Sequence, residues 1–407
     1  MATGPQELGQ ILPIDGVRIA AVSAGVRYQN RLDMVLFELA PGTRSAGVFT
    51  RNAFCAAPVT IARQHLNASS GEVRYLLINT GNANAGTGPD GLTDANSCCD
   101  AVAAAAGVSS AQVLPFSTGV IGERLPANRI IAAVPNAFEA LQQDNWLAAA
   151  KGIMTTDTRP KAVSTVVEVD GKKVTITGIS KGAGMIKPNM ATMLSFVATD
   201  AVIEQALLDS LLKSAVEQSF NRITIDGDTS TNDCCILSAT GRSGVVIAEA
   251  DEKLFAAFSA ALHELILELA KLIIRDAEGA KKFVTVDVRG GASTRECLLV
   301  AYAIAESPLV KTALSASDPN WGRILAAVGR AGVENLDVSR IDIDLDDVAI
   351  VRQGGLAPSY REELGQAVMN QEDITLRVNL ARGDFRELVW TSDLSEEYVR
   401  INASYRS

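Results

Sequence analysis

Short apolar runs bounded by turn-forming residues open the chain. The runs at 17–22, 34–39 and 73–78 are rich in β-branched and other apolar residues, and each is followed by a glycine, proline or asparagine. This pattern predicts strands. An apolar patch around Val48 and Phe49 adds another strand. The N-terminal part of the chain is therefore expected to form a sheet.

Helical periodicity begins farther along. The alanine-rich segment 94–106 predicts a helix with Thr93 or Asp94 as its N-cap. The segment 129–141 also has helical spacing, but Pro135 lacks a backbone N–H and is expected to break this helix or to open a new first turn.

The remaining segments show either the alternation of apolar and polar residues that is typical of strands or the spacing that is typical of helices. Asp170-Gly171, between apolar alternations at 164–169 and 173–177, is a strong hairpin signal. Phe258 and five leucines, at spacings of three and four from Leu254 to Leu272, predict a long core helix over 254–274. Further helices are predicted at 146–154, 204–220 and 296–304, and further strands at 113–116, 283–288, 341–345, 374–380 and 387–390. Residues alone predict a mixed α/β protein.

Length and charge narrow the class of protein. The 407 residues suffice for two domains, or for one large domain with an appendage. A formal net charge of −10 without a basic stripe argues against nucleic-acid and anionic-membrane partners. We find no signal-peptide pattern and no apolar run of the ~18 residues that a membrane span needs. A cytoplasmic protein is expected.

Cysteine and histidine usage excludes several chemistries. The six cysteines include two adjacent pairs and no CxxC, so neither a zinc site nor a disulfide framework is indicated. No metal and no bound cofactor are expected. The two histidines, His65 and His263, do not sit in glycine-rich loops, so a catalytic base other than histidine is expected.

The most unusual stretch reads K-G-A-G-M-I-K-P-N-M-A-T-M-L and begins at Lys181. Its glycines and proline force an irregular backbone, and an apolar strand-like run follows Thr192. A threonine hydroxyl is a poor nucleophile without a base, and one solution is the free α-amine of the same residue. That amine has a pKa of roughly 7.7–8, but it exists only if the chain is cut between Ala191 and Thr192. An ordinary turn is the commoner meaning of such a loop.

This stretch resembles the self-cleavage signature of the ornithine acetyltransferases (glutamate N-acetyltransferases) of arginine biosynthesis, which use a threonine nucleophile. Other blocks of the chain are similar to the same family. They are N-T-G-N-A-N-A-G-T-G from Asn79, T-T-D-T-R-P-K from Thr155, the block 220–233, D-A-E-G-A from Asp276, the loop 317–323, and the ending I-N-A-S-Y-R-S.

The resemblance implies a fold. It is a four-layer α-β-β-α sandwich of the Thr-nucleophile hydrolase type with a smaller C-terminal α/β domain. The precursor would cut itself into an α chain (1–191) and a β chain (192–407) that stay associated. Residues 192–285 would complete the core, and 286–407 would form the C-terminal domain.

The resemblance also implies a reaction. An acetyl group would pass from N²-acetyl-L-ornithine to L-glutamate by a ping-pong route through an acetylated Thr192. The segment S-T-G-V-I-G from Ser117 places a hydroxyl beside backbone N–H groups, which are the parts of an oxyanion hole, although a simple type II turn has the same sequence. The family assigns that role to Thr118 and Gly119.

Substrate-binding positions follow from the same resemblance. They are Thr155, Lys181, Thr192, Glu278, Asn402 and Ser407, with Thr158 as the alternative to Thr155 in the T-T-D-T cluster. Glu278 is expected near a helix end capped by Gly279. Lys181 would meet an α-carboxylate, and Glu278 would meet an ammonium or orient the new N-terminus.

Several alternatives stay open. An N-terminal-nucleophile aminopeptidase or amidase of the same fold would use water instead of glutamate as acyl acceptor. A non-enzymatic binding protein would keep the bond between Ala191 and Thr192 intact. The sequence also leaves open whether acetyl-CoA is a second acetyl donor. The resemblance implies paired α and β chains in a heterotetramer or larger homo-oligomer.

Overall fold

The computed structural model describes residues 2–4, 7–187 and 193–403. Its strands are β1 (Val17–Val22), β2 (Met34–Leu39), β3 (Arg44–Phe49), β4 (Tyr75–Asn82), β5 (Val113–Val120), β6 (Lys161–Val169), β7 (Lys172–Lys181), β8 (Leu194–Thr199), β9 (Val202–Ile203), β10 (Ile223–Thr224), β11 (Cys234–Ala239), β12 (Val246–Ile247), β13 (Phe283–Gly291), β14 (Asp342–Leu345), β15 (Val348–Arg352), β16 (Gly355–Leu356), β17 (Asp373–Asn379) and β18 (Phe385–Ser392). Its helices are α1 (Ala57–Ala68), α2 (Gly88–Ala106), α3 (Ala127–Glu139), α4 (Trp146–Gly152), α5 (Gln205–Glu217), α6 (Glu252–Arg275), α7 (Thr294–Ala305), α8 (Pro308–Ser315), α9 (Trp321–Gly329), α10 (Glu362–Met369) and α11 (Glu396–Ala403).

Two sheets form the core. The first has the order β1-β2-β4-β5, and the second has the order β3-β11-β8-β7-β6. Strand β8 lies between β7, which it pairs antiparallel, and β11, which it pairs in parallel. The second sheet therefore joins strands from both sides of the Ala191-Thr192 bond.

Alternation along the strands explains why the sheets stack. Successive side chains of a strand point to opposite faces, and Leu76 and Ile78 of β4 bury into the space between the sheets while Leu77 faces the other way. Strand β8 behaves likewise, with Phe196 between the sheets and Val197 on the outer face. Stacked inner faces are the ordinary way in which two sheets bury apolar area.

Helices cover both outer faces. The outer face of the first sheet packs against α2 and α3, and that of the second sheet packs against α5 and α6. The predicted four-layer α-β-β-α core is therefore confirmed. A third sheet, in the order β10-β18-β13-β17-β14-β15-β16, packs on α7 to α10 around a separate core. Strand β10, which comes from outside residues 286–407, joins this sheet by pairing in parallel with β18.

Several element boundaries differ from the sequence prediction. Helix α2 begins at Gly88 and not at residue 94, because Pro89 fits the first helical turn. Pro135 lies inside an unbroken α3, since the buried face of that helix outweighs one lost backbone hydrogen bond. Helix α1, which contains His65, was not predicted.

The hairpin prediction is confirmed. Strands β6 and β7 pair from Lys161↔Ser180 to Val169↔Lys172. Asp170 and Gly171 connect them with φ of +52° and +78°, and two positive φ angles are what a two-residue hairpin turn requires.

Among the described residues, no single helix is long and apolar enough to cross a membrane. The bent pair α7 and α8 meets the length and composition requirement when its two members are taken together.

Candidate active site

A cavity of about 280 Å³ opens where the ends of β5 and β7 meet the start of β8. Its described lining combines hydroxyl, amide, ammonium and carboxylate groups with apolar side chains. The polar members are Thr118, Thr155, Thr156, Lys181, Ser230, Asn232, Asp233, Glu278 and Asn402. Pockets with a few convergent polar groups are the usual form of small-molecule sites.

Thr118 and Gly119 lie in the last part of β5, so the predicted turn at these residues was wrong. Strand β5 runs on because it pairs in parallel with β4, and the register shifts at Gly81/Asn82. Gly119 has φ of +136°, and a side chain there would collide with the Gly81 backbone. Only glycine allows this close approach. Both Thr118 and Gly119 border the cavity.

Lys181, the last residue of β7, holds the two threonine hydroxyls together. Its Nζ donates to Thr155 Oγ1 at 2.7 Å and to Thr118 Oγ1 at 3.2 Å. Burial lowers the pKa of Lys181, while the carboxylate of Asp157 opposes that shift. The third ammonium proton can serve a ligand carboxylate, because an ammonium has three donors.

Asp157 helps to position Lys181. Sequence analysis did not single out Asp157, although this residue lies in the T-T-D-T cluster. Its carboxylate accepts from Lys161 Nζ at 2.6 Å, from Gly182 N–H at 2.7 Å and from Thr155 N–H at 3.0 Å. Lys181 Nζ lies 3.9 Å away. Burial alone would raise the pKa of Asp157, but the two ammonium groups lower it strongly.

The structure separates Thr155 from its predicted alternative, Thr158. Thr155 borders the cavity and bonds Lys181. Thr158 instead donates its hydroxyl and backbone N–H to Asp276, which also accepts from Lys161 Nζ at 2.7 Å. Thr158 therefore belongs to the ion network behind the site.

Glu278 reaches the cavity from a segment beyond α6. The helix ends at Arg275, so the prediction that Glu278 lies at a helix end capped by Gly279 was wrong. Glu278 N–H donates to the Ala183 carbonyl at 2.8 Å, and its side chain lies so close to Gly184 that a Cβ there would come within 2.5 Å of Oε2. Glu278 Oε2 accepts from Asn402 Nδ2 of α11 at 2.7 Å.

The segment after β7 is held by Asp226, a second residue that sequence analysis missed. Asp226 accepts from Met185 N–H at 2.6 Å and from Ile186 N–H at 2.9 Å. Tyr398 of α11 donates its hydroxyl to the same carboxylate at 3.1 Å. The block 220–233, noted above only for its similarity to the family, thus contributes a carboxylate that organises the backbone beside the cavity.

Ala191, Thr192 and Ser407 lie outside the described residues. Met193, the residue that follows Thr192 in the chain, borders the cavity, and its carbonyl accepts from Cys234 N–H at 2.9 Å. The described site residues Thr118, Gly119, Thr155, Lys181, Glu278 and Asn402 all border or join this one cavity.

The described part of the site offers neither a histidine nor a cluster of metal ligands. The lining of the cavity, as far as the structure describes it, contains no histidine. Within 2–4, 7–187 and 193–403, no group of three or more histidine, cysteine or acidic side chains could hold a metal ion.

Known proteins are similar to this chain over its whole length. Residues 18–407 match the model of the ArgJ family. The arginine biosynthesis bifunctional protein ArgJ of Pseudomonas syringae pv. tomato is 56% identical over 408 residues, which cover 100% of both chains.

Two solved structures are also similar. The arginine biosynthesis bifunctional protein ArgJ of Bacillus halodurans is 40% identical, covers 53% of this chain and 100% of its own, and has a TM-score of 0.50. An ornithine acetyltransferase from Mycobacterium tuberculosis, solved in complex with ornithine, is 36% identical, covers 44% of this chain and 94% of its own, and has a TM-score of 0.38.

Proposed function

This chain belongs to the ArgJ family, and on that premise we propose that it transfers the acetyl group of N²-acetyl-L-ornithine to L-glutamate, in arginine biosynthesis in the cytoplasm. The observation that carries the proposal is the convergence of Thr118, Lys181 and Glu278 on one cavity that Met193 also borders. Such a cavity offers an oxyanion donor, a cation and an anion next to the residue that follows Thr192.

The proposed nucleophile is Thr192 Oγ. After cleavage of the Ala191-Thr192 bond, the α-amine of Thr192 removes the hydroxyl proton as the hydroxyl attacks the acetyl carbonyl. The Thr192 amine passes this proton to the departing nitrogen as the C–N bond breaks, so ornithine leaves and the acetyl group stays on Thr192 as an ester. The amine of glutamate then attacks this ester, and N-acetylglutamate is released.

Thr118 and the Gly119 N–H are the proposed oxyanion donors. Thr118 Oγ1 accepts a hydrogen bond from the Lys181 ammonium at 3.2 Å. A hydroxyl that accepts from a cation keeps its own proton for a further acceptor, and it becomes a stronger donor. This arrangement favours a role of Thr118 at the developing negative charge.

Lys181, Thr155, Glu278 and Asn402, together with Ser407 and Thr192, are the proposed substrate-binding residues. The remaining donor of Lys181 suits the α-carboxylate of the amino acid, because a buried ammonium and a carboxylate form a strong charge-assisted pair. Glu278 suits an ammonium, and its bond to Asn402 brings the C-terminal helix α11 to the same position.

Self-cleavage would divide the chain into 1–191 and 192–407, with 192–285 and 286–407 as the two parts of the second chain. The solved Bacillus halodurans chain supports this, since it is matched over 100% of its length and covers 53% of this chain, the share that residues 192–407 represent. The two products would stay together because β7 and β8 pair from Ile176↔Thr199 to Lys181↔Leu194. We further propose that such αβ pairs assemble into a heterotetramer or larger homo-oligomer.

The proposed chemistry needs no bound cofactor, since both substrates carry their own reacting groups. Curated relatives of this chain are described as bifunctional, and we include acetyl-CoA in the proposal as a second acetyl donor for glutamate.

A transfer assay tests this function against hydrolysis by a related fold. The purified protein is incubated with N-acetyl-L-ornithine, with and without L-glutamate, and both products are quantified. With glutamate present, we expect ornithine and N-acetylglutamate to accumulate in equal amounts, and without glutamate we expect ornithine to stop at the amount released by a single acetylation of the enzyme. Release of ornithine and acetate at the same rate without glutamate would identify an amidase instead. Replacing N-acetylornithine with acetyl-CoA tests the second donor.

A further inference from the structure

Asp233 borders the cavity but has no role in the chemistry described above. It directly precedes β11, and the residue is only 2% exposed. Among the described residues, no hydrogen-bond partner reaches its Oδ2. A buried carboxylate oxygen without a partner costs free energy, so it is rarely retained without a function.

The environment of Asp233 is unfavourable for a negative charge. Burial raises the pKa of Asp233 well above its usual range, although hydrogen bonds from Ser230 and the charge of Lys181 oppose the shift. Lys181 does not satisfy Asp233, because its ammonium donates to Thr155 and Thr118. Asp157, which also lies near Lys181, has a lowered pKa because the ammonium groups of Lys161 and Lys181 outweigh its burial.

The position of Asp233 points to a cation. Cys234 N–H donates to the Met193 carbonyl at 2.9 Å, so Asp233 flanks the residue that follows the proposed nucleophile. The other carboxylate of the described lining, Glu278, already accepts from Asn402. Among the described lining residues, Asp233 is therefore the carboxylate with a buried oxygen that no hydrogen bond reaches.

We propose that the Asp233 carboxylate binds an ammonium group within this cavity. The inference rests on the proposed function, which supplies two sources of such a group. Self-cleavage releases an N-terminal amine at residue 192, and ornithine and N-acetylornithine each carry a side-chain ammonium. A cation at Oδ2 would convert an uncompensated buried charge into a hydrogen-bonded pair.

Asp233→Asn separates the two sources when it is placed in two backgrounds. The first is the uncleaved chain carrying Thr192→Ala, in which no new amine forms. The second is the processed protein, with and without ornithine. Thermal unfolding at neutral pH gives Tm, and calorimetry gives the affinity for ornithine. Asp157→Asn is the matched control, because it removes a buried carboxylate that already has partners.

In the uncleaved chain, Asp233→Asn should raise Tm by about 2 °C or more, because the amide carries no charge to bury. If the N-terminal amine is the cation, this gain should disappear or reverse in the processed protein. If ornithine supplies it, the gain should persist in the free processed protein, and the affinity for ornithine should fall about tenfold. Asp157→Asn should lower Tm in every form.

Two results would overturn the proposal. One is a drop in Tm of the uncleaved chain on Asp233→Asn. The other is the same gain in Tm in all forms together with unchanged ornithine affinity. Failure of the proposed function itself looks different, since the protein with native Thr192 and Asp233 would then stay uncleaved and bind no ornithine.

Discussion

At the scale of the residue, the site depends on how each charge is compensated. Among the described residues, no carboxylate lies within ordinary hydrogen-bond distance of Lys181, and two of its donors bind threonine hydroxyls. Asp157 keeps it in place from 3.9 Å while binding Gly182 and Thr155. Neutral groups therefore orient the ammonium, while burial lowers the pKa of Lys181 and the more distant Asp157 carboxylate opposes that shift.

Thr118→Ala tests the oxyanion role. We expect kcat for acetyl transfer to fall ~10²–10³-fold with a modest change in KM, because the lost hydrogen bond forms mainly in the transition state. Thr118→Ser is the control, since it keeps the hydroxyl and should retain most of the activity. A strong rise in KM with unchanged kcat would show that Thr118 binds the ground state instead.

Asp157→Asn tests the buried ion network. Removing one partner of a buried ion network typically costs about 3–5 kcal/mol of unfolding free energy, because the other charges remain buried. The pKa of Asp157 is lowered in the fold, so its contribution is present above its unfolded pKa of roughly 3.9 and is lost as the pH falls below it. The difference between wild type and variant should therefore be large at neutral pH and should shrink in acid.

Asp170→Asn is the matched control for that prediction. Asp170, in the hairpin turn, pairs with Lys253 of α6 at 2.8 Å, and both side chains are 69% exposed. Solvent screens such a pair, so denaturant unfolding should show little change at any pH. Equal losses for the two variants would contradict the account of the network.

At the scale of the element, the sequence predicted what periodicity and turn chemistry determine locally. Asp170-Gly171 determines the β6–β7 hairpin, and the leucine spacing from Leu254 determines α6. It did not predict that β5 runs through Thr118 and Gly119, because that extension depends on pairing with Gly81 of β4, a partner far away in sequence.

The C-terminal helix shows the same limit. No helix was predicted at α11, because its few apolar residues give a weak pattern. The sequence there was noted only for its similarity to the family. It is placed by contacts from distant residues, through Tyr398 to Asp226 and through Asn402 to Glu278. Asp157 was missed for a similar reason, since a single aspartate in a polar cluster carries no sign of the two lysines that it meets.

Tyr398→Phe tests the tether of α11. A hydrogen bond to a charged group contributes about 1.5–3 kcal/mol, so its loss should speed amide hydrogen exchange in Glu396–Ala403 by tenfold or more. Tyr360→Phe is the control, because the Tyr360 hydroxyl contacts Glu362, in a different helix. Unchanged exchange in α11 would show that the tether contributes nothing.

At the scale of the whole molecule, the fold is built so that a cut before β8 leaves it assembled. The central position of β8 between β7 and β11 joins the two proposed chains within one sheet. Helix α6, from the second chain, packs on β6 and β7 of the first. Cleavage would leave the new N-terminus one residue before Met193, which borders the cavity, without removing the core of the two sheets.

Denaturing intact-mass spectrometry tests the central claim most directly. The purified wild-type protein is mixed with N-acetyl-L-ornithine, and its mass is measured before and after L-glutamate is added. We predict two polypeptides, 1–191 and 192–407, with the second one heavier by one acetyl group until glutamate removes it. A single unbroken chain after long incubation, or two chains of which 192–407 never gains the acetyl group, would contradict a self-cleaving enzyme with Thr192 as its nucleophile.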